Sequence, residues 1–180
     1  MKRILGLDVG DKTLGVAVSD ELGLTAQGVT VRQRSSLVAD MVFLRETCAL
    51  FEVAAIVVGL PKNMDGSLGS QAQKTLTFIE HVKRASGLPV IAWDERLTTQ
   101  AAERALLETN ASRRRRKAVR DRLAAQFILQ SYLEWSTRHP SAATLMAGQS
   151  LPLREAFAPE NETAEAEGDE MWKPDTEQQR

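Results

Sequence analysis

The stretch Arg3-Ile4-Leu5-Gly6-Leu7-Asp8-Val9, followed by Gly10-Asp11-Lys12 and then by Leu14-Gly15-Val16-Ala17-Val18-Ser19, decides how the rest of the chain is read. Residues 3–9 are almost continuously apolar, as a strand covered on both faces is. One acid, Asp8, breaks the run near its end. Gly10-Asp11-Lys12 is a turn signal, so residues 14–19 are expected to return antiparallel. A second turn at Asp20-Glu21-Leu22-Gly23 leads to a third strand over 27–33. The chain thus opens with a three-stranded meander whose first strand ends in a carboxylate.

The pattern then changes period. Leu37, Met41, Leu44, Cys48 and Phe51 fall on one face of a helix over 36–52, which makes Cys48 a small core hydrophobe. Ala54-Ala55-Ile56-Val57-Val58-Gly59-Leu60 reads as a buried parallel strand. A polar loop over 61–70 precedes a helix with Ala72, Leu76, Ile79 and Val82 on one stripe, stopped by Gly87-Leu88-Pro89. Val90-Ile91-Ala92-Trp93-Asp94 is the last strand. Thr98 or Thr99 can cap a helix over 100–109, and Ser112 a long helix over 113–137 bounded by Pro140. The order β-β-β-α-β-α-β-α-α describes a mixed five-stranded sheet flanked by helices, an α/β fold of the ribonuclease H-like arrangement.

Composition narrows the classes. Of 180 residues, 43% are hydrophobic and 26% charged, the balance of a globular chain. No apolar run is long enough to span a membrane, and the early Asp8 is unlike a signal peptide, so a cytoplasmic protein is expected. One cysteine and two histidines argue against disulfides and against Cys- or His-rich metal clusters. Charge is unevenly placed. Residues 139–180 hold nine acids and three bases, a net −6, which leaves +5 on residues 1–138. The tail, acidic and poor in large apolar residues, is expected to be disordered, and the basic body to bind a polyanion.

Three carboxylates stand where this fold would let them meet. Asp8 ends a central strand, Glu95 follows the last strand with Asp94 beside it, and Asp121 lies in the final helix. Helical spacing groups Asp121 with Lys117, Ala118, Ala124, Ala125 and Ile128, the packing stripe, where alanines let a helix lie close to a sheet. Acids held together repel one another and raise their own proton affinity. A hard divalent cation, magnesium or manganese, relieves this. A pair of such ions about 4 Å apart can activate water and stabilise the leaving oxygen of a phosphodiester. Asp94 is open to two roles, as a ligand or as an acceptor behind the ligands.

Beside Asp121, Ser112–Arg122 contains seven bases: Arg113, Arg114, Arg115, Arg116, Lys117, Arg120 and Arg122. A basic collar at a helix N-terminus runs against the helix dipole, which favours a functional reason. Such a collar suits phosphate contacts, which position a nucleic-acid backbone without reading its sequence. Lys12 and Lys62 are further candidate phosphate contacts. The loop over 61–70 lacks the Gly-Lys-Ser/Thr ending of a Walker loop.

These motifs together carry a resemblance. Gly6-Leu7-Asp8-Val9-Gly10, Gly15-Val16-Ala17-Val18-Ser19-Asp20, Val58-Gly59-Leu60-Pro61, Met64-Asp65-Gly66-Ser67, Asp94-Glu95-Arg96-Leu97-Thr98-Thr99, and Asp121 with Ala124-Ala125 and Ile128-Leu129-Gln130 resemble, in order, the YqgF/RuvX family. The resemblance covers residues 1–138 and stops at the tail. It implies a ribonuclease H-like, metal-dependent nuclease acting in 5′-end maturation of pre-16S rRNA, in ribosome biogenesis. The family is also described as a Holliday junction resolvase. Asp8, Glu95 and Asp121 match the family's acids, which implies that they are catalytic and hold Mg2+ or Mn2+. Thr13 stands where many members carry Arg, with Lys12 beside it as a substitute contact. The expected partners are pre-rRNA ahead of DNA junctions, and ribosomal particles; no membrane is expected, and the chain is read as a monomer or homodimer. Two other classes compete. An actin-like or sugar-kinase nucleotide site normally needs a second such domain, for which residues 1–138 are too short. A non-catalytic RNA-binding factor would use the basic collar alone.

Overall fold

The computed structural model describes residues 3–95 and 113–148, with the side chains of 113–122 and 147–148 left undescribed. The strands are β1 (Arg3–Val9), β2 (Thr13–Ser19), β3 (Ala26–Gln33), β4 (Val53–Leu60) and β5 (Val90–Asp94). The helices are α1 (Leu37–Leu50), α2 (Ser70–Ser86), α3 (Arg113–Arg138) and α4 (Pro140–Gly148). The strands form one sheet in the order β3-β2-β1-β4-β5. β1 pairs antiparallel with β2 (Asp8 opposite Gly15) and parallel with β4 (Leu7 opposite Val58). β4 pairs parallel with β5, Leu60 opposite Asp94. This is the expected mixed five-stranded sheet. The expected helix over 100–109, with its Thr98 or Thr99 cap, lies outside the described residues.

Side-chain alternation along the strands sorts the core into two layers. Leu5, Leu7, Val9, Ile56, Val58 and Leu60 point to α1 and α2, where Leu44, Cys48, Phe78, Ile79 and Val82 meet them. Val57, Ile91 and Trp93 point the other way, onto Ala125, Ile128, Leu129, Tyr132 and Leu133 of α3. Trp93 anchors that second layer: its Nε1–H donates to Ser131 Oγ at 2.6 Å, and its ring meets Tyr132 edge-on at 5.3 Å. α3 can lie this close because two sheet positions under it have no side chain. A Cβ on Gly6 would stand 2.6 Å from Leu129 Cβ, and one on Gly59 would stand 2.5 Å from Ile128 Cδ1. Gln130 fixes the far end, accepting from the Ala26 N–H and donating to Leu24 O.

Two differences from the sequence reading have physical causes. The buried face of α1 is rotated: Asp40 is 1% exposed, while Leu37 is 39% exposed. Asp40 turns inward because Arg34, at the end of β3, donates to its carboxylate at 2.8 Å. Past residue 138, inside the segment read as tail, α4 continues the helical order, and Met146 packs on the α3 layer. The compact unit runs to Ser150. The acidic stretch after it lies outside the described residues. Among the described residues, no helix is long and apolar enough to cross a membrane.

Candidate active site

The parallel strands β1, β4 and β5 end together, and their carboxyl ends build the site. On β1, Leu5, Leu7 and Val9 face α1 and α2, so Ile4, Gly6 and Asp8 face α3. On β4 the α3-facing position at this end is Gly59, and just past β5 it is Glu95. A Cβ on Gly59 would lie 2.5 Å from Glu95 Oε1, so the carboxylate of Glu95 occupies the space that glycine leaves. A glycine inside an apolar strand is a sign of such a close approach.

Asp8 and Glu95 therefore share one face and one end of the sheet. Glu95 feels both its burial and its neighbours. Desolvation, then the charge of Asp8, then that of Asp94, push its carboxyl from the ordinary 4.5 up to about 7. A paired, half-buried acid with a proton affinity near neutrality is what a cation would relieve. The donor set of two hard carboxylates, with a glycine making room for one of them, suits magnesium or manganese.

The third expected acid, Asp121, lies in α3 one helical turn before Ala125, whose carbonyl stands 3.1 Å from a Cβ built on Gly6. From Gln130 near Ala26, α3 climbs past Gly6 toward the Asp8 end, so the turn holding Asp121 follows on the Asp8 side. The Asp121 side chain lies outside the described residues. Among the described residues, no group of three His, Cys, Asp or Glu side chains is arranged to hold a metal ion.

The expected basic contacts divide. Lys12 is exposed in the turn between β1 and β2. Lys62 is turned inward: its Nζ stands 3.3 Å from Asp94 Oδ2, and the two side chains are 8% and 6% exposed. This ion pair belongs to the α2 side of the sheet, because Asp94 pairs with Leu60, which faces α1 and α2. Asp94 thus has a cation partner of its own, on the face away from Asp8 and Glu95. Arg113, Arg114, Arg115, Arg116 and Lys117 open α3, and their side chains, like Arg96 and Thr98, lie outside the described residues. Sequence reasoning missed the spacing role of Gly59, although an isolated glycine in a strand pattern was a signal for it. It also missed Arg34 and Asp40, for which no local signal exists.

Comparison with known proteins adds an independent view. A sequence profile of the RuvX family, described as "Holliday junction resolvase", matches residues 2–135. A protein of Clostridium novyi named "Putative pre-16S rRNA nuclease" is 52% identical over 132 residues, 73% of this chain and 98% of its own length. One of the same name from Thermoanaerobacter pseudethanolicus is 54% identical over 133 residues, 73% of this chain and 96% of its own length. Among solved structures, "T. thermophilus RuvC in complex with Holliday junction substrate" is similar with a TM-score of 0.51 at 18% identity, covering 76% of this chain and 98% of that one. That likeness establishes the fold, the ribonuclease H-like arrangement expected from the strand order. With its profile match across three quarters of its length and relatives above half identity, the chain belongs to the RuvX family.

Proposed function

We propose that the chain is a metal-dependent nuclease that hydrolyses phosphodiester bonds in 5′-end maturation of pre-16S rRNA. The observation that carries this reading is the convergence of Asp8 and Glu95 over Gly59, with Glu95 held at a proton affinity near neutrality. Membership of RuvX and the names of the most similar relatives support the substrate. Asp8, Glu95 and Asp121 would hold magnesium or manganese. When bound, such a cation supplies Lewis acidity toward water and phosphate oxygens.

The residues of the chain do the rest. Arg113–Lys117 and Lys12 draw in the phosphate backbone through its charge, without reading bases. Glu95, titrating near neutrality, can hold or release a proton at its carboxyl oxygen in the working pH range. Gly59 keeps that oxygen against the sheet, and Ile128 closes the side facing α3. By analogy with ribonuclease H-like enzymes, the products would carry 5′-phosphate and 3′-hydroxyl ends. Residues 1–138, with a net charge of +5, are proposed as the nuclease domain, and residues 139–180, at −6, as its acidic tail.

A second reading, cleavage of four-way DNA junctions, is favoured by the family's description. Incubation with ribosomal RNA precursor and with a four-way junction, each with manganese, separates the two, beside an Asp121→Asn control. The expected result is cleavage of the precursor by the native chain, and binding without cleavage by the variant. Junction cleavage alone supports the second reading. Binding without cleavage by both proteins leaves only an RNA-binding factor and refutes the nuclease.

A further inference from the structure

We propose that Arg34 is a positioning residue of the carboxylate site, fixing the turn that follows Asp8. The inference rests on the nuclease reading above and extends it to a residue on β3's outer end.

Within the sheet, the end of β1 is paired on one side only. Its ladder with β4 stops at Leu7 opposite Val58, whereas the ladder with β2 continues through Asp8 opposite Gly15 and Val9 opposite Leu14. From outside the sheet, Gln71 of α2 donates to Val9 O at 3.4 Å, and Lys74 of α2 pairs with Asp11 at 2.8 Å. The turn beyond is closed by the Gly10 N–H donating to Thr13 O at 2.9 Å. Arg34 then grips this turn from outside. Its backbone N–H donates to Lys12 O at 2.9 Å, and its Nη1–H donates to Gly10 O at 2.8 Å. Gly10 is two residues from Asp8, and Lys12 is the exposed base of the same turn.

The guanidinium is itself held in a fixed direction. Its Nε–H donates to Asp40 Oδ2 at 2.8 Å, and its Cζ stands over the Phe78 ring, 4.8 Å from the ring centroid. Asp40 belongs to α1 and Phe78 to α2, and both are buried. One side chain therefore ties the turn to both helices of that layer.

Stability alone gives a poor reason for this arrangement. A buried ion pair seldom outperforms an apolar pair of the same volume, because both charges are desolvated. Here the pairing is also incomplete: Asp40 Oδ1 and Arg32 Nε are buried without a hydrogen-bond partner and stand 3.8 Å apart. What an apolar pair could not supply is a rigid donor aimed at Gly10 O. Sites of this kind tolerate errors of only about 0.5 Å in ligand placement, and groups behind the ligands set that placement. Lysine would keep the charge at position 34 but lose the planar fork and the stacked face.

The test uses the full chain with Arg34→Lys and Arg34→Met, beside Phe78→Leu, which removes the ring but leaves both hydrogen-bond acceptors. Manganese binding is measured by calorimetry without nucleic acid. Urea stability, kcat and KM on ribosomal RNA precursor are measured in parallel. Arg34→Lys is expected to weaken manganese binding by roughly tenfold or more, and to lower kcat with KM for RNA unchanged. Phe78→Leu is expected to lose stability but, with both hydrogen bonds of the guanidinium kept, to weaken manganese binding much less than Arg34→Lys. Native affinity in Arg34→Lys overturns the inference, and so does an equal loss in Phe78→Leu. If Arg34→Met does not fold, Arg34→Lys still decides. A native chain that binds no manganese overturns the nuclease reading and this inference together, whereas native binding with unaffected Arg34 variants overturns this inference alone.

Discussion

Removing the Glu95 carboxylate should make the metal-free protein more stable at neutral pH, and the pH dependence of that gain is fixed by the structure. In the folded chain Glu95 titrates at about 7, and in the unfolded chain at its ordinary 4.5. Between those values the folded state keeps a proton that the unfolded state has released. Unfolding is then favoured as pH rises, because stability falls wherever the folded state binds more protons. The contribution is fully present below pH 4.5, declines as pH rises to about 7, and is flat above. Each pH unit is worth about 1.4 kcal/mol, so the interval amounts to roughly 3 kcal/mol, an upper limit because Glu95 is only partly buried. Urea unfolding in a chelator, followed by tryptophan fluorescence across this range, reads it directly. The difference between Glu95→Gln and the native chain should grow with pH and level off above neutrality. Asp8→Asn should move the midpoint downward, since the Asp8 charge is one of its causes. A difference curve that is flat with pH refutes the shared site.

Other substitutions test the geometry around it. Gly59→Ala should cost about 1–3 kcal/mol by overpacking and abolish cleavage, because the new methyl meets both Ile128 and the Glu95 oxygen; urea midpoints and precursor cleavage check it. Gly6→Ala should cost a similar amount, about 1–3 kcal/mol, by lifting α3 off Leu129's seat, and urea midpoints again measure it. Lys62→Met leaves the buried Asp94 without this cation and should cost about 3–5 kcal/mol, and the double variant Lys62→Met/Asp94→Leu should recover most of it in the same assay.

The meander, the crossovers and the sheet were legible because each rests on local pattern. The largely apolar run from Ile4 to Val9, broken only by Asp8, and the turn at Gly10 set β1 and β2, and the period change after Ser36 set α1. Asp8 and Glu95 could be expected near one another because β1, β4 and β5 run parallel and end at one edge of the sheet, although only side-chain alternation separates Glu95 from Asp94, which turns to the other face. What was not legible depends on partners distant in the chain. Nothing local distinguishes Asp40 from any other acid in a helix's first turn, and its burial depends on Arg34 being placed beside it. Lys62 reads as a phosphate contact until the strand register sets it against Asp94.

The order in which these pieces leave the ribosome has a consequence. Asp8 emerges early, Glu95 only with the last strand, and the helix that rests on Gly6 and Gly59 later still. During vectorial synthesis an N-terminal fragment has the meander but an uncovered sheet face. On the reading above, a chain whose synthesis stops before α3 is unarmed, and a cutting enzyme made beside ribosomal RNA acquires its edge only after that helix has followed the sheet.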